Sequence, residues 1–110
     1  HRLPADSSQE EVADLLRRLG DDTRVNGILL QLPVPDHLDA AALTALIGPG
    51  KDVDGLTPVS AGLLAQGRPG LRPATPSGVI ELLDRHGVGL EGAEAVVLGR
   101  SLLVGRPLAF

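Results

Sequence analysis

The run Val25-Asn26-Gly27-Ile28-Leu29-Leu30-Gln31-Leu32 is short, apolar almost throughout, and halted by Pro33 and Pro35. A brief apolar segment bounded by turn residues has the pattern of a strand buried on both faces, as in a parallel sheet. Ala93 to Leu98 has the same character. One residue fits poorly: Gln31 carries an amide at the end of the first run, where an unpaired polar group is costly.

Helical patterns surround these runs. Ser7-Ser8-Gln9-Glu10-Glu11 contains two overlapping capping boxes, and Val12, Leu15, Leu16 and Leu19 follow at helical spacing until Gly20. Asp39 can cap a second helix with Leu43, Leu46 and Ile47 turned inward. A short helix is expected from Ser60 to about Gln66. Thr75-Pro76 reads as a cap followed by proline at the first helical position, opening a helix that buries Val79, Ile80, Leu82 and Leu83 and pairs Glu81 with Arg85. Pro107 reads as the opening of another helix. Strands alternating with helices predict the α/β class, with parallel sheets flanked by helices. The Gly-, Pro- and Arg-rich stretch Gly67–Ala74 is the best linker, so residues 1–70 and 71–110 are read as parts of two domains.

Composition narrows the partners. With 110 residues, 43% hydrophobic and 22% charged, a globular chain is expected rather than disorder. Phe110 is the only aromatic residue, so no platform exists for stacking nucleic-acid bases, and a net charge of −4 argues against nucleic acid or an anionic membrane. Ten acids and five bases lie up to Gln66, against four acids and five bases from Gly67 onward. A locally cationic end on an acidic chain suits one small anionic ligand. Without cysteine there are no disulfides or thiolate metal sites, which is compatible with the cytoplasm. No signal peptide or membrane-spanning run is visible. No methionine occurs, even at position 1, and the chain stops on an unfinished helix start, so both ends are expected to be cut.

Three constellations could carry chemistry. Val96-Val97-Leu98-Gly99-Arg100-Ser101-Leu102-Leu103-Val104-Gly105-Arg106-Pro107 runs a strand into a glycine-bearing loop and a helix start, an arrangement suited to phosphate. It is neither the dinucleotide fingerprint nor a nucleophile elbow, because Ser101 and Leu103 occupy glycine positions. A plain turn with a solvated arginine fits it equally well. Lys51-Asp52-Val53-Asp54-Gly55 sets two carboxylates two residues apart, either an Asx-type turn closed by Gly55 or an acceptor for paired N–H donors. His1, His37 and His86 have no ligand spacing, and no metal site is expected.

Four segments taken in order, "VNGILLQLPVP", "KDVDGLTPVSAGLL", "RPATPSGVIELL" and "GVGLEGAEAVVLGRSLLVGRPLA", resemble the bifunctional methylenetetrahydrofolate dehydrogenase/methenyltetrahydrofolate cyclohydrolase family over roughly residues 8 to 109. The resemblance implies part of a folate-binding catalytic domain followed by the start of a Rossmann-like NADP domain. It implies oxidation of 5,10-methylenetetrahydrofolate with NADP, hydrolysis of the methenyl product to 10-formyltetrahydrofolate, tetrahydrofolate one-carbon derivatives as ligands, and a homodimer. Gln31 then matches the glutamine that holds a catalytic lysine beside the reacting carbon, and Pro33 turns the chain so that the folate can approach. Asp54 matches the aspartate that receives the pterin N–H groups, while Lys51 and Asp52 shape the loop. Thr75, Pro76 and Gly78 match the opening of the nucleotide domain's first helix. Gly99, Arg100 and Ser101 match the turn that holds the adenosine 2′-phosphate. The family's tyrosine and catalytic lysine are expected upstream of His1, and the far half of the nucleotide domain beyond Phe110. The rival readings are an inactive piece that at most binds folate, and another Rossmann-type enzyme binding a phosphate ligand.

Overall fold

Ser8 starts the first helix. In the computed structural model, which describes residues 1–110, the Ser8 hydroxyl accepts from the Glu11 N–H at 3.3 Å and the Glu11 carboxylate accepts from the Ser8 N–H at 2.7 Å. Of the two overlapping capping boxes this one is used, and α1 (Gln9–Asp21) carries on one residue past Gly20. Asp39 caps α2 (Ala40–Thr44) as expected, accepting from the Ala42 N–H at 3.0 Å. Val12, Ala13 and Leu16 of α1 meet Leu43 of α2, together with Ile28 and Ile47. These six form the core, with Leu19, Val25, Leu30 and Leu38 packed at its margin; Leu46, expected inside, is exposed.

The expected parallel sheets do not form within these residues. The only strand-like pairing is a single parallel bridge, Ile28 to Asp52, with the Ile28 N–H donating to the Lys51 carbonyl at 2.7 Å. Ala93–Leu98 pairs with nothing, leaving Val96 at 85% and Leu98 at 96% exposure. The reason is non-local. A strand needs a neighbour's N–H and C=O groups, and residues 1–110 bring none alongside this segment.

Two Thr-Pro pairs occur, and the structure uses them differently. Thr57 caps α3 (Pro58–Ala65), accepting from the Ser60 N–H at 3.2 Å with Pro58 at the first position, so α3 begins two residues before the expected Ser60. Thr75 and Pro76 instead lie inside the first turn of α4 (Ala74–Arg85), whose cap position is Pro73. Pro76 is tolerated there because first-turn N–H groups have no acceptor within the helix. On α4, Val79 and Leu83 are half-buried, but Ile80 and Leu82 are exposed, against expectation. The Glu81–Arg85 pair forms at 2.6 Å on the exposed face, where it contributes little. The last helix, α5 (Gly105–Ala109), packs on α3 and α4.

Buried core therefore belongs to the first half, and only 14 of 110 residues are buried. The accessible surface of 7924 Å² exceeds the roughly 5,800 Å² expected of a compact chain of this mass. The radius of gyration, 16.0 Å, likewise exceeds about 13 Å for a close-packed domain. No helix is long and apolar enough to cross a membrane.

Gly55 lets the loop pass close against the backbone that enters α4. Its φ of +62° lies in the left-handed region, and a Cβ there would stand 2.7 Å from the Arg72 carbonyl carbon. These environments predict unequal responses to truncation. Leu43→Ala, at zero exposure, should lower the unfolding free energy by about 2–5 kcal/mol. Leu98→Ala should change it by less than about 0.5 kcal/mol. Urea unfolding followed by far-ultraviolet circular dichroism checks both.

Candidate functional site

The Lys51–Gly55 loop is where three parts of the chain meet. The Lys51 ammonium donates to the carbonyls of Leu19 (3.2 Å), Gly20 (2.6 Å) and Asp22 (2.9 Å) at the end of α1. A cation belongs at a helix C-terminus, where unpaired carbonyls gather. The Asp22 carboxyl, held mainly by hydrogen bonds from the Arg24 side chain and N–H and helped by the Lys51 charge, is shifted below its ordinary value.

Asp52 faces the other way. Its residue is 1% exposed, and its carboxylate accepts from the N–H groups of Leu56 (3.1 Å) and Thr57 (2.8 Å), just before α3. Burial alone would raise its pKa. The Ser60 hydroxyl, the Thr57 N–H and hydroxyl and the Leu56 N–H together outweigh that and hold the carboxyl below its ordinary 3.8. Asp52 and Lys51 thus shape the loop, as expected.

Gln31 was expected to be buried and is exposed, because the segment that carries it has a bridge on one edge and nothing over its other face. Its Nε2 donates to the Leu32 carbonyl at 2.9 Å. The following Leu32–Pro33 peptide is cis. Gln31 and Pro33 line a cavity of about 600 Å³ whose walls include Leu16, Ile28, Leu29 and Leu30. Asp54, half-buried, lines a much smaller pocket with Asp52, Thr44 and Leu56. The two are distinct but adjoin, sharing Ile28, Leu29 and Leu30 as a common wall. Neither reaches Thr75 or Gly99–Ser101.

Around the last turn, the Ser101 hydroxyl accepts from the N–H groups of Val104 (3.1 Å) and Gly105 (3.4 Å), leaving its own O–H free to donate. Gly99 has φ +124°, and a Cβ at Gly105 would press into the Gly99–Arg100 peptide, so the loop closes backbone against backbone. Arg100 is exposed and makes no ion pair. An unpaired guanidinium, a free hydroxyl and a tight glycine turn fit one phosphate group. Thr75, exposed in the first turn of α4, makes no side-chain hydrogen bond. No group of three or more His, Asp or Glu residues is gathered where it could hold a metal ion.

Sequence reasoning missed the carbonyl cluster that receives Lys51 and the part played by Ser60 beside Asp52. The Thr57-Pro58 signal was present and pointed to the true start of α3. No local signal could have revealed the Lys51 contacts, which cross 29 to 32 residues.

These placements put an amide and a carboxylate on two adjoining pockets and a cationic turn outside both, each suited to a small ligand. Residues 1–54 match the family model for the catalytic domain of tetrahydrofolate dehydrogenase/cyclohydrolase, and residues 73–110 match that for its NAD(P)-binding domain. The bifunctional protein FolD 2 of Frankia casuarinae is 67% identical over 107 residues, covering 97% of this chain and 37% of its own length. The FolD crystal structure from Campylobacter jejuni superposes with a TM-score of 0.94 at 42% identity, covering 97% of this chain and 38% of that one. The Trypanosoma brucei enzyme, solved with NADP cofactor and inhibitor, gives 0.91 at 40% identity, over 97% and 37%. The chain belongs to the tetrahydrofolate dehydrogenase/cyclohydrolase family, and spans somewhat over a third of the length of these relatives.

Asp52 supplies a pH test. A carboxyl whose folded pKa is depressed contributes stability that is present above its ordinary value, 3.8, and is lost as pH falls through the lower folded value. Asp52→Asn, which sets an amide donor against one of two N–H donors, should cost about 1–3 kcal/mol at neutral pH. It should also flatten the acid limb of the stability curve below pH 3.8. Urea midpoints across that range check it.

Proposed function

We propose that these residues form the central part of a bifunctional, NADP-dependent methylenetetrahydrofolate dehydrogenase and methenyltetrahydrofolate cyclohydrolase. The carrying observation is the parallel bridge between Ile28 and Asp52, which brings the Gln31 and Asp54 segments side by side in the same direction. Family membership supports the rest of the reading. Residues 1–70 contribute to the folate-binding catalytic domain and residues 71–110 open a Rossmann-like domain. There Val25–Leu32 and Ala93–Leu98 take their places in parallel sheets.

Asp54 offers two parallel acceptor oxygens to adjacent N–H groups of the pterin, fixing its orientation. Pro33 borders the space in which the ring lies. Gln31 keeps a carbonyl oxygen available to accept from a catalytic ammonium group, and so positions the group that handles protons near the one-carbon bridge. That ammonium is not Lys51, the only lysine of these residues, because its three N–H bonds are already spent on α1. Gly99, Arg100 and Ser101 hold the 2′-phosphate, and Thr75 borders the cofactor at the start of α4. Bound NADP supplies the acceptor for the hydride that leaves the methylene carbon. Water then adds to the resulting methenyl carbon, one C–N bond opens, and 10-formyltetrahydrofolate forms with release of a proton. The protein acts in the cytoplasm as a homodimer.

Chemistry is tested on the full-length product of the encoding gene. Mixed with 5,10-methylenetetrahydrofolate and NADP, it should give a steady rise in NADPH absorbance; a flat trace sinks the reading. Arg100→Ala should raise KM for NADP by about tenfold or more, the loss of one charge-assisted phosphate contact. Activity with NAD, which lacks that phosphate, should change much less.

A further inference from the structure

Lys51 is bound twice, once through its side chain and once through its backbone. The ammonium gives all three of its N–H bonds to α1 carbonyls, which leaves it no rotational freedom. The Lys51 carbonyl accepts from the Ile28 N–H, the one backbone hydrogen bond joining the Val25–Leu32 segment to the Lys51–Gly55 loop. Helix α1 is itself fixed, because Val12, Ala13 and Leu16 share the core with Ile28. One residue thus closes a triangle of helix, strand segment and loop.

We propose that Lys51 is a positioning residue for the folate site, setting the register in which Gln31 and Asp54 are presented. The inference rests on the reading that these two side chains contact the reduced pterin. Gln31 lies three residues beyond Ile28, and Asp54 three beyond Lys51, in segments that run parallel. Asp54 sits in the tight turn that the Gly55 N–H closes on the Asp52 carbonyl at 3.1 Å, so the hydrogen bond between 28 and 51 gives both side chains a shared origin. A slip of one residue would turn the Gln31 side chain to the opposite face. Contact between Gly27 and Val53 guards the same register, since a Cβ on Gly27 would run into Val53 Cγ1. Simple helix capping would not require that link to Ile28.

The test uses 5-formyltetrahydrofolate as probe, titrated calorimetrically into the full-length product of the encoding gene at a temperature where circular dichroism shows each variant folded. Lys51→Met keeps the length and removes the charge. It should weaken binding about tenfold or more and speed hydrogen exchange at the Ile28 amide, while the Leu16 amide inside α1 stays protected. Lys51→Arg should restore most of the affinity. In the Lys51→Met background, Gln31→Ala and Asp54→Ala should each cost much less than in the wild type, a change that lost stability alone would not produce. If Lys51→Met fails to fold, Gly27→Ala disturbs the same register from the other side and should weaken the probe comparably. Wild-type binding with no loss in Lys51→Met, or in Gly27→Ala where Lys51→Met does not fold, overturns the positioning role and leaves the proposed function standing. A silent wild-type titration overturns both, and is told apart by the wild type alone.

Discussion

An ammonium group resting on three carbonyls at the end of α1 is the contact on which the rest of this molecule depends. It sits where the helix leaves backbone acceptors unfilled, and it arrives from a loop about thirty residues further along the chain. That loop passes the constraint on in two directions. Its backbone reaches Ile28, and its next residue, Asp52, gathers the N–H groups ahead of α3. The carboxylate can be buried because the Leu56 and Thr57 N–H groups, with the hydroxyls beside them, offset its desolvation. Gly55 then carries the chain against the backbone of Arg72, so the entry to α4 is set by the same five residues.

The family assignment gives this hub a purpose. On the proposed reading two segments distant in sequence meet at one reduced pterin, and within residues 1–110 neither is held by a sheet. Between the two segments themselves the link is a single hydrogen-bonded bridge, braced by a helix end. The cationic turn is built on different lines. It has no buried charge and no core beneath it, only glycines pressed together and a serine hydroxyl collecting two N–H groups.

How far the sequence disclosed all this depends on the range of each interaction. Ser8 with Glu11, and Asp39 with Ala42, were legible because each cap closes over three residues. The apolar character of Val25–Leu32 and Ala93–Leu98 was also legible, but pairing is a property of two segments, and a partner is found only for Ile28. Gln31 was read as buried because its neighbours are apolar, yet exposure depends on what lies over a segment, not on its composition. The candidate site residues were singled out chiefly through resemblance, since four ordered motifs carry more information than the chemistry of any one of them. Lys51 shows the limit most clearly. Nothing adjacent to it in the chain hints at α1, and its partners are backbone carbonyls, which every residue possesses and no sequence pattern marks.

The bare segment Ala93–Leu98 has a consequence of its own. Val96 and Leu98 stand almost wholly in water, flanked by backbone groups with no partner. Such a stretch is adhesive in both senses at once, through greasy side chains and through open hydrogen-bonding edges. Whatever lies beside it in the folded protein therefore has to supply both an apolar surface and a row of backbone partners, which is what a neighbouring strand offers and a helix face does not.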